Sequence, residues 1–154
     1  MIIQEDISQI FLEEKIFYKI WTLMLNGIIQ KNNNLTKQGI LFFLNCVNIF
    51  DYINIQNFLG VTDFKKILNL TKFVSEIYIM DLLSLIEVLL KKEMGFIRFN
   101  INGCGTSLLP SHLSLIEVFK NNNGKEILME IKGVYNNDVL NGVIDFIINE
   151  LIEY

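Results

Sequence analysis

The sequence predicts a mostly helical α+β fold, in which an N-terminal bundle of about four helices is followed by a small antiparallel sheet and a C-terminal helix. The sheet would consist of one strand and a β-hairpin. Two observations support this fold class: apolar residues recur at helical spacing up to residue 95, and the spacing then changes to the alternation of a strand. The 154 residues suffice for a single domain with its own core, divided into a helical part at 1–95 and a second part at 96–154.

The centre of the predicted bundle is the stretch from Thr71 to Met94. Its apolar residues cover most of the circumference of a helix, so other helices must bury it. The polar positions form one thin stripe that consists of Asp81, Ser84, Glu87 and Lys91. Gly95 is expected to end this helix as a left-handed C-cap. A shorter helix that begins near Asp63 precedes it, and a bend near residues 69–71 is expected to separate the two.

Two amphipathic helices are predicted at the N-terminus. The first covers residues 6–30, with apolar residues at spacings of three and four, and the second runs from about residue 35 to 51. The polar residues 31–34 form the turn between them. The next segment, residues 52–61, fits both a short strand and a single helical turn.

The predicted sheet lies in the last third of the chain. Residues 96–101 alternate like a strand, and two apolar runs at 113–120 and 126–134 flank the pair Asn123-Gly124. An Asn-Gly pair between two apolar runs is the strongest local signal for a β-hairpin. The last helix is predicted from Asp138 to Tyr154, capped by one of the two preceding asparagines.

Composition and charge exclude several classes of function. The formal net charge is −4, and no block of basic residues exists that could bind nucleic acid or anionic lipid. Two cysteines and one histidine are too few for a disulfide framework or a conventional zinc site, so we predict neither a metal nor a cofactor. The chain starts without the pattern of a secretory signal, and its longest apolar stretch, residues 39–50, is too short to span a membrane. We therefore expect a cytoplasmic protein with reduced thiols.

The loop at residues 102–107 is the most site-like segment. Its glycines flank Cys104, and His112 follows, so a pair of nucleophile and base is conceivable. The alternative is a glycine-rich connection in which the cysteine is a small apolar side chain. Because no neighbouring residue in the sequence activates the thiol, we favour the structural interpretation and predict no catalytic residue. An enzyme or small-ligand protein that uses Cys104 is the third hypothesis for the function.

The first hypothesis is a non-enzymatic protein–protein interaction or adaptor module. Apolar residues make up 51% of the chain, and no convergent set of polar residues accompanies them. The apolar faces of the first and last helices are predicted to form the interface of a homodimer or of a complex with another protein. The predicted interface residues are Phe17, Trp21, Met24, Ile144, Ile147 and Leu151.

The second hypothesis comes from a resemblance to a known family. Residues 70–99 resemble a winged-helix unit, in which two helices lead through a glycine into a strand and a hairpin wing, and residues 34–41 are similar to the start of the second helix of MarR-type regulators. The resemblance implies a dimeric transcriptional regulator that binds nucleic acid. The implied contacts are Lys91, Lys92 and Arg98. The polar stripe of the central helix departs from the family, because DNA-reading helices expose Arg, Lys, Asn or Gln rather than acidic residues.

Overall fold

The computed structural model describes residues 16–61, 64–72, 75–101 and 114–153, and the secondary structure of these residues is helical. The helices in chain order are α1 (Ile16–Ile29), α2 (Asn33–Ile49), α3 (Tyr52–Val61), α4 (Phe64–Leu70), α5 (Glu76–Ile101), α6 (Leu115–Asn121), α7 (Gly124–Tyr135) and α8 (Asp138–Phe146), and α8 continues as a π-helix at Ile147–Ile152.

Helix α5 is the centre of the fold. It packs against α2, α3, α6, α8 and the π-helix. Seven of its apolar residues are at most 1% exposed: Ile79, Leu82, Leu83, Leu85, Ile86, Leu89 and Leu90. The prediction of a helix buried on most sides is confirmed from Glu76 to Met94, and its physical basis is the apolar circumference visible in the sequence. The expected C-cap at Gly95 is wrong, because the helix continues to Ile101.

The N-terminal half follows the predicted order of helices. Residues 6–15 of the predicted first helix lie outside the described part, and α1 covers the remainder. The ambiguous segment 52–61 is a helix, and the side chain of Asp51 caps it by accepting a hydrogen bond of 2.8 Å from a backbone N–H of its first turn. The expected bend is confirmed, since α4 ends at Leu70 and the Thr71 hydroxyl donates to a carbonyl oxygen of its last turn at 2.7 Å.

Two glycines allow α1 and α2 to pack closely. A Cβ atom at Gly39 would lie 2.8 Å from Cβ of Met24, which is closer than two carbon atoms can approach. At Gly27 it would lie 2.9 Å from Oγ1 and 3.1 Å from the backbone nitrogen of Thr36. The close contact of the two helices therefore offsets the low helix propensity of Gly39.

The predicted strand at residues 96–101 is wrong, because α5 continues through Gly95 to the end of this segment. Helical spacing places Phe96 on the same side of α5 as the buried Glu93. The rings of Phe96 and Tyr52 then lie 4.7 Å apart between centroids. This packing between α3 and α5 outweighs an alternation of only six residues, which is too short a pattern to exclude a helix.

The predicted β-hairpin is also wrong, because its two runs fold as the helices α6 and α7. Their buried residues recur at three and four: Leu115 and Phe119 in α6, and Ile127, Leu128 and Ile131 in α7. Asn123 has a φ of 58°, and a single residue in this left-handed conformation turns the chain between two helices as well as between two strands. A Cβ atom at Gly124 would lie 2.6 Å from the ring of Phe119, so glycine lets the two helices approach.

These two corrections change the fold class from α+β to helical for the described residues. The strand and the hairpin wing that the winged-helix resemblance implied do not form in this part of the chain. Among the helices described, none is long and apolar enough to cross a membrane.

The last helix begins where it was predicted. The Asn137 side chain accepts hydrogen bonds of 2.9 and 3.1 Å from the backbone N–H groups of Val139 and Leu140, which makes it the N-cap of α8. The end of this helix widens into a π-helix whose apolar residues are buried in the core. They are Ile147, Ile148, Leu151 and Ile152.

Candidate functional site

An apolar groove of about 340 Å³ lies between α1 and α4. Its lining residues are Leu25, Ile28, Ile29, Lys66, Asn69 and Leu70. The α1 side is almost purely aliphatic, and Ile29 is 77% exposed at its edge. An isoleucine this exposed leaves an apolar surface that a partner could cover, and covering one such side chain contributes about 2 kcal/mol.

The α4 side of the groove has an apolar floor and a polar edge. Lys66, Asn69 and Leu70 are spaced three and four apart, so they share one face of the short helix. Leu70 is buried, while Lys66 and its neighbour Lys65 are exposed. The groove therefore presents aliphatic surface beside the cationic side chain of Lys66.

A polar pocket of about 350 Å³ adjoins this groove, and Ile28 lines both. The lining residues of the polar pocket are Gly27, Ile28, Lys31, Asn33, Thr36, Ser75 and Tyr78. They come from three places in the chain: the end of α1, the first turn of α2 and the start of α5. The two depressions share Ile28 as a lining residue, and their other lining residues differ.

The turn from α1 into α2 shapes one wall of the polar pocket. Lys31 has a φ of 56°, and its N–H donates to the carbonyl oxygen of Ile28 at 3.1 Å. The Asn32 N–H donates to the carbonyl oxygen of Gly27 at 2.7 Å, which completes a left-handed helix end. The Asn32 side chain then accepts from the N–H of Leu35 at 3.2 Å as the N-cap of α2. The sequence reading of this segment as a turn is confirmed.

The start of α5 forms the opposite wall. The carbonyl oxygen of Ser75 accepts hydrogen bonds of 3.1 Å from the backbone N–H groups of both Tyr78 and Ile79. Tyr78 is 3% exposed, and its hydroxyl has no hydrogen-bond partner among the described residues. A buried hydroxyl without a partner is uncommon in folded proteins.

The predicted interface residues occupy the core of this chain. Those whose side chains are described are buried: Trp21, Met24, Ile144, Ile147 and Leu151. The side chain of Phe17 is not among those that the structure describes. An interface on the first and last helices stays a prediction, and the exposed apolar residues available for it are Tyr18, Leu23, Ile29, Val139 and Phe146.

Of the three cations that the winged-helix resemblance implied as nucleic-acid contacts, Lys91 and Lys92 interact with other residues of the fold. Lys91 pairs with Glu87 at 3.2 Å, and its ammonium lies 4.8 Å from the ring centroid of Phe146. Lys92 donates to the carbonyl oxygens of Asn48 and Phe50 at 3.2 and 2.8 Å.

Lys92 thus holds the C-terminal end of α2, where a cation is favourable. Arg98 follows the buried Glu93 by five residues in α5 and is exposed. Nucleic-acid binding through these three side chains stays a prediction.

The described residues contain one cysteine, Cys46, and burial raises the pKa of its thiol to about 11. A thiol with this pKa is almost fully protonated at neutral pH and is a poor nucleophile. Cys104 and His112, with the loop at 102–107, lie outside the described residues. No group of three or more His, Cys, Asp or Glu side chains that could hold a metal ion occurs in the part that is described.

Sequence reasoning missed a buried carboxylate. Oε1 of Glu93 accepts hydrogen bonds from the Tyr52 hydroxyl at 3.1 Å and from the Leu115 N–H at 2.8 Å, and Oε2 accepts from the Ile116 N–H at 2.9 Å. Burial, with the adjacent Glu93 charge, raises the pKa of Tyr52 well above its usual range. The signal in the sequence was the position of Glu93 four residues after Leu89, on the apolar side of α5.

This carboxylate joins α3 and α5 to the first turn of α6 and has a structural role. Its three donors occupy both oxygens, and it lines neither of the two depressions.

Comparison with known proteins adds no assignment: no protein-family model matches the chain, and neither the curated proteins nor the solved structures contain a significant match.

Proposed function

We propose that the protein is a non-enzymatic protein–protein interaction module whose docking surface is the apolar groove between α1 and α4. The observation that supports this proposal is the exposure of Ile29 beside Leu25 and Leu70 in a groove lined mainly by aliphatic side chains. Grooves of this kind accept the apolar face of an amphipathic helix, with residues at i, i+3 and i+4 as anchors.

The charge around the groove selects the chemistry of the partner. Lys66 lines the groove, and Lys31 lines the polar pocket that shares Ile28 with it. A partner helix with Asp or Glu beside its apolar stripe would meet complementary charge, whereas a basic helix would meet repulsion. We therefore propose that the occupant is an acidic amphipathic helix of another protein.

The test uses two synthetic helical peptides with the same leucine stripe, one flanked by glutamates and the other by lysines. Binding is followed by ¹H–¹⁵N NMR titration of the labelled full chain. The acidic peptide is expected to shift backbone signals of α1 and α4 in a saturable way. The basic peptide is expected to bind at least about tenfold more weakly, because like charges at an interface disfavour association.

A pair of matched variants locates the surface. Ile29→Asp should abolish binding of the acidic peptide, while Val134→Asp should leave it unchanged, because Val134 is equally exposed (75% against 77%) but lies on α7. Equal binding by both variants, or equal binding of both peptides, would overturn the proposal. Light scattering completes the test: a dimer that Ile29→Asp dissociates would mean that a second copy of the chain occupies the groove instead.

A further inference from the structure

The apolar groove between α1 and α4 continues along α1 as an exposed stripe. Tyr18, Leu25 and Ile29 are spaced seven and four apart, so they lie on one side of the helix. Tyr18 is 57% exposed, Ile29 is 77% exposed, and Leu25 between them is half-buried. The stripe leads from the groove towards Ile16, where residues 1–15 join the described part of the chain.

The sequence of residues 1–15 has the features that we propose for the partner of the groove. Its isoleucines at positions 3, 7 and 10 recur at spacings of four and three, and Phe11 follows, which is the spacing of an apolar helix face. Its formal charge is −3, from four acids and one base: Glu5, Asp6, Glu13, Glu14 and Lys15. The groove carries the opposite charge, since Lys66 lines it and no Asp or Glu is among the described residues that do so. Segment and groove are therefore complementary both in apolar character and in charge.

The length of the segment allows it to reach the groove. Residues 13–15 are three consecutive polar residues next to α1, and connections of about two to eight residues commonly join two antiparallel helices. A helix formed by the residues before them would be about 18 Å long, at a rise of about 1.5 Å per residue. The distance along α1 from Ile16 to Ile29 is about 20 Å at the same rise. A segment that turns back at residues 13–15 therefore extends along α1 as far as the groove.

We propose that residues 1–15 fold back on α1 of the same chain and occupy the groove, so that a partner helix has to displace them. This inference rests on the proposed function of the groove and adds its regulation. In this arrangement the helix predicted over residues 6–30 is interrupted before Ile16. Folding back is favourable because it covers the stripe on α1 with the apolar face of the segment, whereas a straight continuation of α1 leaves both in water. A tethered segment competes at an effective concentration on the order of millimolar, so weak contacts suffice to lower the affinity for a free partner.

A nitroxide spin label at position 8 of the full chain tests where the segment lies. The label is attached to Ser8→Cys in a Cys104→Ser background, and the buried Cys46 is a poor nucleophile at neutral pH. In ¹⁵N-enriched, spin-labelled protein diluted with an excess of wild-type chain at natural isotope abundance, we expect broadened amide signals at Ile29 and Asn69. A straight helix would hold residue 8 about 30 Å from Ile29, which is too far for strong broadening. Unbroadened signals at both residues would overturn the proposal.

A mixing experiment separates the chain's own segment from that of a second copy. Wild-type chain enriched in ¹⁵N is mixed with spin-labelled chain at natural isotope abundance, so that any broadening arises between molecules. We expect the signals of Ile29 and Asn69 to stay sharp in this mixture. Broadening in the mixture, without broadening in the diluted sample, would assign the segment in the groove to a second copy and would overturn the proposal.

The double variant Ile7→Ser, Ile10→Ser tests the competition, because it removes two apolar anchors and leaves the charge of the segment unchanged. It is expected to bind the acidic leucine-stripe peptide at least about tenfold more tightly than the wild type, since its own segment competes less. Ile53→Ser is the matched control: it removes an isoleucine of α3 that is 55% exposed, and it should bind the peptide like the wild type. Equal, measurable affinities of the wild type and the double variant would overturn the regulation alone. No binding of the peptide to either protein would overturn the function of the groove, on which the regulation rests.

Discussion

Replacing Glu93 by glutamine tests whether one buried carboxylate joins α3 and α5 to α6. Glu93 is 2% exposed in α5 and accepts hydrogen bonds from three donors, one on α3 and two on the first turn of α6. Because every group that faces it is a donor, both of its oxygens have to act as acceptors. Glutamine keeps the shape of the side chain but replaces one of these oxygens with an NH₂ group.

The expected loss of stability follows from the three hydrogen bonds that Glu93 accepts. The amide oxygen of glutamine can serve the Tyr52 hydroxyl and the Leu115 N–H, and its NH₂ group then faces the N–H of Ile116. Losing one hydrogen bond to a charged acceptor costs about 1.5–3 kcal/mol, and the unsatisfied donor adds about 1–3 kcal/mol. We expect Glu93→Gln to lower the free energy of unfolding by about 3 kcal/mol. Tyr52→Phe, which removes the hydrogen bond to Glu93 and the interaction of the hydroxyl with Gln56, should cost about 2 kcal/mol.

Urea denaturation followed by circular dichroism at neutral pH measures these differences, provided that the slopes of the transitions are equal. Glu130→Gln serves as the matched control, because it makes the same chemical change at an exposed position of α7 and should stay within about 0.5 kcal/mol of the wild type. A Glu93→Gln protein as stable as the Glu130→Gln control would refute the reasoning.

Two further predictions concern stability. Gly39→Ala should destabilise the fold by about 1–3 kcal/mol because its Cβ would lie 2.8 Å from that of Met24. Gly95→Ala, in an exposed part of α5 with no atom near its Cβ, should stabilise the fold by about 1 kcal/mol. A urea midpoint that rises for Gly39→Ala, or one that falls for Gly95→Ala, would contradict the respective prediction. The pKa of Cys46 is raised from 9.0 to about 11, so the folded state keeps its proton to higher pH than the unfolded state. The stability that burial of the protonated Cys46 thiol contributes is fully present below pH 9. Between pH 9 and about 11 the free energy of unfolding falls by about 1.4 kcal/mol per pH unit from this group. Stability measured at about pH 8 and about pH 10.5 should therefore fall by about 2 kcal/mol more in the wild type than in Cys46→Ala, and equal losses would show that the thiol is not buried in the folded protein.

The candidate site could not be predicted from the sequence, although its residues are visible there. Lys31 and Asn33 belong to a polar turn, and a turn of this composition is ordinary in any helical protein. Their significance depends on the start of α5, more than forty residues away, which brings Ser75 and Tyr78 to the same pocket. The predicted interface on the first and last helices stays a prediction. Its described residues, Trp21 among them, are buried in the core of this chain, as large apolar side chains usually are.

The sequence by itself determined the features that depend on one segment. The apolar circumference of α5, the break after Leu70 and a cap at Asn136 or Asn137 are properties of neighbouring residues, so the periodicity and residue types were sufficient. The structure decided that Asn137 is the cap. Only the tertiary structure decided between helix and strand beyond Gly95 and around Asn123-Gly124, where the local signals fit both. There the contacts between segments, such as those of Phe96, Glu93 and Phe119 with other helices, outweigh short-range preference, because burial and buried hydrogen bonds contribute more free energy than the propensity of a few residues.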